Sequence, residues 1–120
     1  MKVQARLEPP GTSSGGVVED SQITFSSHEI VRVLAALSDE NRFRIVTLLS
    51  AANAELSCSA IGAALRLSPS LISHHLAILE SAGIIDRRKD GLWTLNRLRR
   101  EELCRHLTAL GRLLQPEGAA

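Results

Sequence analysis

From residue 27 onward, apolar residues recur at three- and four-residue spacing, which predicts a largely helical chain. "SHEIVRVLAALS" sets Ile30, Val33, Leu34 and Leu37 along one stripe, with Ser27 as N-cap and Ile23 and Phe25 leading in. "SDENRFRIVTLLSAA" predicts a second helix, capped by Ser38 or Asp39, with Phe43, Ile45, Val46, Leu48 and Leu49 as its apolar positions. "LSCSAIGAALRL" predicts a short third helix, capped near Ser57 and burying Ile61, Ala64 and Leu65. A fourth runs from about Ser68 to Ala82. Ser68 caps it, and Pro69 suits the first turn, where a missing N–H breaks no helical bond. Leu71, Ile72, His75, Leu76 and Leu79 recur at helical spacing, and Gly83 fits the left-handed position beyond the last turn.

The period then changes. In "IIDRRKDGLWTL", two β-branched residues, the Asp90-Gly91 turn signal and the alternation of Leu92, Trp93, Thr94 and Leu95 predict a β-hairpin. Asn96 is the expected cap of a last helix carrying Leu103, Leu107, Leu110 and Leu114, which Pro116 ends. The predicted fold is therefore mainly α with a small β-hairpin, in the order α-α-α-α-β-β-α. A short helix, a tight turn at Arg66–Ser68, an amphipathic helix and a following hairpin together make a winged helix-turn-helix.

Composition bounds the domain organisation. With 120 residues the chain suits one domain, placed at residues 23–116. Residues 1–22, rich in Pro, Gly and Ser, are expected to be a flexible arm, and residues 117–120 a disordered tail. Lys plus Arg number 14 and Asp plus Glu 13, so net charge names no partner. Its distribution does. Between Ile84 and Arg100 lie Arg87, Arg88, Lys89, Arg97, Arg99 and Arg100 against Asp86 and Asp90, so this stretch suits an anionic surface. No secretory leader and no apolar run of membrane-spanning length is seen, so the expected location is the cytoplasm.

The fourth helix holds the candidate chemistry. At about 100° per residue, Ser70, Ser73, His74 and Ala77 turn away from the stripe of Leu71, Ile72, Leu76 and Leu79. Short polar side chains on the leading half of such a helix suit the major groove of duplex DNA. Arg87, Arg88 and Lys89 on the wing suit flanking phosphates. Catalysis is disfavoured. Ser73 and His74 diverge by that same angle, no carboxylate stands at a suitable offset, and there is no G-x-S-x-G elbow. A winged helix used only for protein contacts remains an alternative.

The segment from Val33 to Leu95 resembles the ArsR/SmtB family of winged-helix bacterial repressors. The resemblance is carried by "LAALSDENRFRIVTLL", "ELSCSAIGAALRLSPSLISHHLAILESAGII" and "RRKDGLWTL". Within it, Ser68, Ser70, Ile72, Ser73, His75 and Leu76 match the S-x-S-x-[VI]-S-x-H-L pattern of the family's recognition helix. This likeness adds Ser68 and His75 to the candidate DNA-binding set, His75 as a structural or phosphate-facing residue. It also implies a homodimer joined by the first and last helices through Ile30, Val33, Leu34, Leu37, Leu103, Leu107, Leu110 and Leu114. Binding to a DNA operator and release by an inducer, whose identity is left open, are implied as well.

The family's metal sites do not carry over. Its thiolate motif E-L-C-x-C-D-L reads here Glu55-Leu56-Ser57-Cys58-Ser59-Ala60-Ile61, with a hydroxyl at each ligand position. The Asp-x-His of its last-helix zinc site falls on Arg97 and Arg99. No cofactor is therefore expected. A metal ion or a redox switch using Cys58 and Cys104 is the alternative sensor. Two cysteines without a C-x-x-C make no disulfide framework, and Cys104 and His106 lie about 200° apart on a helix.

Overall fold

A computed structural model describes residues 25–116; the predicted arm and tail lie outside these described residues. The elements are α1 (Ser27–Leu37), α2 (Glu40–Ala52), β1 (Leu56–Ser57), α3 (Cys58–Leu65), α4 (Pro69–Ser81), β2 (Ile85–Asp90), β3 (Trp93–Leu98) and α5 (Arg100–Leu113). They fall into two compact units. One spans 33–103, and the described part of the other comprises 25–32 and 104–116.

Side chains that satisfy otherwise unpaired amides start the first four helices. Before α1, the Ser26 hydroxyl accepts from the Glu29 N–H at 3.1 Å while the Glu29 carboxylate accepts from the Ser26 N–H at 2.9 Å. This reciprocal box puts the cap one residue ahead of the expected Ser27, which is already helical. Asp39 caps α2, Ser57 caps α3 and Ser68 caps α4, with Pro69 in its first turn. Left-handed residues stop the helices: Asn53 after α2, Arg66 after α3, and Gly83 beyond α4. At Gly83, the amides of Gly83 and Ile84 return to the carbonyls of Glu80 and Leu79.

The hairpin has the predicted strands, with its turn shifted by one. Asp90 pairs with Trp93, so Gly91 and Leu92 form the loop, and Gly91 alone takes positive φ. A third strand joins them. β3 lies between β2 and β1, and Leu56 and Ser57 pair antiparallel with Asn96 and Leu95. Two residues show no period, so the sequence pattern assigned them to the approach of the third helix.

That register overturns the expected role of Asn96. It is a fully buried β3 residue, and α5 starts at Arg100 instead. The Asn96 Nδ2 donates to the Leu56 carbonyl at 3.0 Å, and its Oδ1 accepts from Arg87 Nε at 2.9 Å. One amide thus ties all three strands together.

The core of the 33–103 unit is built on Val33, Ile45, Leu49, Ile61, Ile72, Leu76, Leu79, Ile84 and Ile85, with Leu37 and Leu103 packed against it. Ala64 and Leu71, both assigned to buried stripes, are exposed, as is Phe43. In the other unit Ile30 and Ala109 are buried together, with Phe25 and Leu110 packed on them. The Phe25 ring stacks on His106 with centroids 3.9 Å apart.

Asn96→Ala should remove about 1–3 kcal/mol of stability, because it strands the buried Leu56 carbonyl and the Arg87 Nε. Urea unfolding measures this. A loss below about 0.5 kcal/mol would contradict the amide's tying role.

Candidate nucleic-acid interface

α4 presents two chemically distinct sides. Its back is Ile72, His75, Leu76 and Leu79, all buried. Burying each of the three aliphatic side chains contributes about 1.5–3 kcal/mol, which holds the helix at a set rotation. Its front is Ser68, Ser70, Ser73, His74 and Ala77, all exposed. The candidates Ser68, Ser70, Ser73 and His74 therefore share the outward side of one helix. The Ser68 hydroxyl accepts from the Leu71 N–H at 3.3 Å, so its first task is to cap.

His75 does not join them. Only 4% exposed, it lies on the back of α4, which corrects its inclusion among the DNA contacts. Arg42 Nη1 stands 3.2 Å from its Nδ1, and Arg42 Nε donates to the Ala36 carbonyl at 2.7 Å. A guanidinium only donates, so Nδ1 is the acceptor and the ring proton sits on Nε2. That atom is buried without a hydrogen-bond partner among the described residues. Burial pushes the imidazole pKa below its ordinary value. Arg42 and His74 act in the same direction, against the opposing pull of Asp39. Asp39 itself is held below the usual carboxylate value, first by the Arg42 N–H it caps.

The wing is less free than its sequence implies. Arg87 turns inward: its side chain is 18% exposed, donates to Asn96, contacts Cys58 Sγ at 3.6 Å and lies 3.9 Å from the Glu80 carboxylate. Its candidacy for a phosphate contact is withdrawn on that ground. Arg88 forms a two-bond pair with Glu55, both bonds at 2.8 Å. This pairing lowers the Glu55 pKa and raises that of Arg88. Asp86 pairs with Arg97 at 2.8 Å and lies 3.7 Å from Arg99. Lys89 is exposed and carries no hydrogen bond or ion pair among the described residues. Sequence reading missed Glu55 and Arg42, since only folding brings each to its partner, 33 residues away along the chain.

The expected dimer face divides. Ile30 and Val33 are buried within their own chain and cannot be covered by a second copy, which corrects their assignment. Leu37 and Leu103 pack on the core of the 33–103 unit, and Leu110 on Ile30 and Ala109. Leu34, Leu107 and Leu114 remain exposed, as do Val31 and Leu113.

Both cysteines are free thiols. Cys104 is exposed, and Cys58 is half-buried, with Asn96 Nδ2 also 3.6 Å from its sulfur. Among the described residues no group of three or more His, Cys, Asp or Glu is placed to hold a metal ion. Ser57, at a thiolate position of the family motif, uses its hydroxyl to cap α3, and Arg97 at the zinc position pairs with Asp86. At these two positions a capping hydroxyl and a paired guanidinium stand where the family motifs have metal ligands.

A model described as bacterial regulatory protein, arsR family, matches residues 39–87. A putative arsenical resistance operon repressor ArsR of Halobacterium salinarum is 44% identical over 63 residues, covering 52% of this chain and 49% of its own. The chain thus spans about half the length of the curated relatives it matches. Among solved structures, an ArsR-like transcriptional regulator from Rhodococcus sp. RHA1 aligns with a TM-score of 0.64 at 34% identity, over 72% of this chain and 79% of that one. A homodimeric winged helix-turn-helix DNA-binding domain from Mycobacterium bovis aligns with a TM-score of 0.60 at 29% identity, over 78% of this chain and 83% of that one.

Stability should be full above about pH 6.5 and fall as pH drops through that value, because the unfolded histidine takes up a proton before the folded His75 does. The decline from this group is at most about 1.4 kcal/mol per pH unit. In His75→Gln, which keeps an acceptor but cannot titrate, urea midpoints between pH 7 and 5 should lose this slope. An unchanged slope would show that another group is responsible.

Proposed function

Because the chain belongs to the ArsR family of bacterial regulatory proteins, we propose that it is a sequence-specific DNA-binding transcriptional regulator, a homodimeric repressor released by an inducer. The observation that carries this reading is the outward side of α4. Ser68, Ser70, Ser73 and His74 stand exposed on a helix whose back is locked into the core. Serine hydroxyls and an imidazole both donate to and accept from base edges, and Ala77 gives an apolar contact for a thymine methyl. Lys89 on the wing adds a phosphate contact beside the groove. The proposed place of action is the cytoplasm; no described helix is long and apolar enough to cross a membrane.

Dimerisation supplies the second half-site. Val31, Leu107, Leu113 and Leu114 are exposed apolar side chains of one unit that a second copy would cover, and Leu34 is an exposed one of the 33–103 unit. The homodimeric Mycobacterium bovis domain supports a dimer as such. A twofold assembly of this kind sets two recognition helices about 34 Å apart, one turn of B-DNA. No catalytic role is proposed, since Ser73 and His74 face solvent and no carboxylate is bonded to either among the described residues.

Release through a thiol is the second reading. It is favoured by Cys58, whose sulfur touches Arg87 and Asn96, the two side chains that brace the wing against β1. Modification there would be felt by the wing. Release by an organic effector would leave DNA affinity indifferent to oxidant and thiophilic ions.

Titration of the protein onto its own upstream DNA tests the proposal, with and without oxidant, zinc and thiophilic ions. Affinity should fall by orders of magnitude between about 50 and 200 mM salt, and Ser73→Ala or His74→Ala should reduce discrimination between operator and unrelated duplex by about 1–3 kcal/mol. A flat salt response, or no binding, would leave a protein-contact module as the better account. Leu107→Glu should yield monomers in sedimentation, with weakened operator affinity; a dimer that survives this charge would move the interface elsewhere.

A further inference from the structure

The turn between α3 and α4 carries positive charge that no carboxylate among the described residues answers. Across the 33–103 unit, Arg87, Arg88, Arg97 and Arg99 are matched to the carboxylates of Glu80, Glu55 and Asp86. Arg42 is used up on the Ala36 carbonyl and His75, and Arg100 on Ser50 and Asn53 at the end of α2.

Arg44 and Arg66 differ. Arg44 is exposed on α2 and reaches only neutral oxygens, Asn41 Oδ1 at 3.1 Å and the Leu65 carbonyl at 3.4 Å, which brings its guanidinium to the end of α3. Arg66 follows Leu65 directly. It is exposed, and its side chain has no hydrogen bond or ion pair among the described residues. Its φ of 60° is a conformation in which glycine or asparagine is more at ease. Neither packing nor pairing nor backbone preference accounts for an arginine there.

Position supplies the missing reason. Arg66 is two residues before Ser68, the cap of α4, and consecutive Cα atoms are about 3.8 Å apart, so it stands within about 8 Å of the leading end of that helix. A major groove about 12 Å wide is bordered by phosphates at that range. We propose that Arg44 and Arg66 together grip a phosphodiester of duplex DNA at the edge of the groove α4 enters. This backbone contact is separate from the wing. It rests on reading the chain as a DNA-binding regulator. It also adds to the wing's Lys89 a backbone anchor at the helix-turn-helix turn, in place of Arg88, whose charge Glu55 already answers.

The test compares wild type with Arg44→Gln, Arg66→Asn, the double variant, Arg66→Lys and Arg88→Ala. Each is titrated onto the upstream duplex and an unrelated duplex of equal length across about 50 to 200 mM salt. Asparagine suits the left-handed position, and thermal melting checks that the fold is retained. The double variant should weaken both duplexes by the same factor, about five- to tenfold, and reduce the slope of log affinity against log salt by about 0.9, the amount for one phosphate, while each single neutral variant does so by less. Arg66→Lys should keep the wild-type slope, and Arg88→Ala should change it less than either single variant.

An unchanged slope in the double variant, with wild type binding steeply, would overturn this inference and leave the regulator reading intact. A lowered melting temperature with an unchanged slope would overturn it too, assigning the two arginines to the carbonyl end of α3. Wild type that binds neither duplex would overturn both.

Discussion

The burial of Ile72, Leu76 and Leu79 beneath α4 is the contact on which the rest of the molecule depends. A helix can rotate about its axis at little cost in backbone hydrogen bonds, so only side-chain burial decides which residues it shows. Here three aliphatic residues and a histidine occupy the inner side. The alternate positions, Ser70, Ser73, His74 and Ala77, are left outside by subtraction. The candidate reading surface is thus a consequence of core packing.

His75 makes that arrangement more exacting. An aliphatic residue at its place would seal the helix equally well, yet the chain puts there a ring with one nitrogen facing Arg42 and the other unpartnered. Arg42 in turn joins the carbonyl end of α1 to the back of α4. A buried polar contact of this kind tolerates few geometries, so it trades some stability for a defined rotation of the helix.

The wing is governed by a similar economy of charge. Asn96 binds β1 and Arg87, Glu55 clasps Arg88, and Asp86 meets Arg97 and Arg99. A stretch with a marked positive excess in sequence becomes a largely self-compensated hairpin in space, with Lys89 standing apart. Among the described residues, charge without a carboxylate partner lies also at the turn ahead of α4, where Arg44 and Arg66 come from different elements. Solvent-exposed pairs such as Arg97 with Asp86 add little to stability, and their clearer effect is to decide which cations stay available.

Local chemistry alone determined the helices, the caps at Asp39, Ser57 and Ser68, the stop at Gly83, the hairpin and the split of α4 into apolar and polar sides. Each of these depends on residues within a few positions of one another, so a linear reading captures them. Tertiary structure decided what depends on distant partners. Asn96 moved from a presumed cap into the sheet because Leu56, 40 residues earlier, needed a donor for its carbonyl. His75, on the inner stripe by its spacing yet open to a phosphate-facing role by resemblance, is held in the core where Arg42 of α2 meets it, and Ile30 is buried with Ala109 from the far end of the chain. Periodicity states that a side of a helix is apolar, but which neighbour covers it, and which charge answers which, is set only when the chain closes on itself.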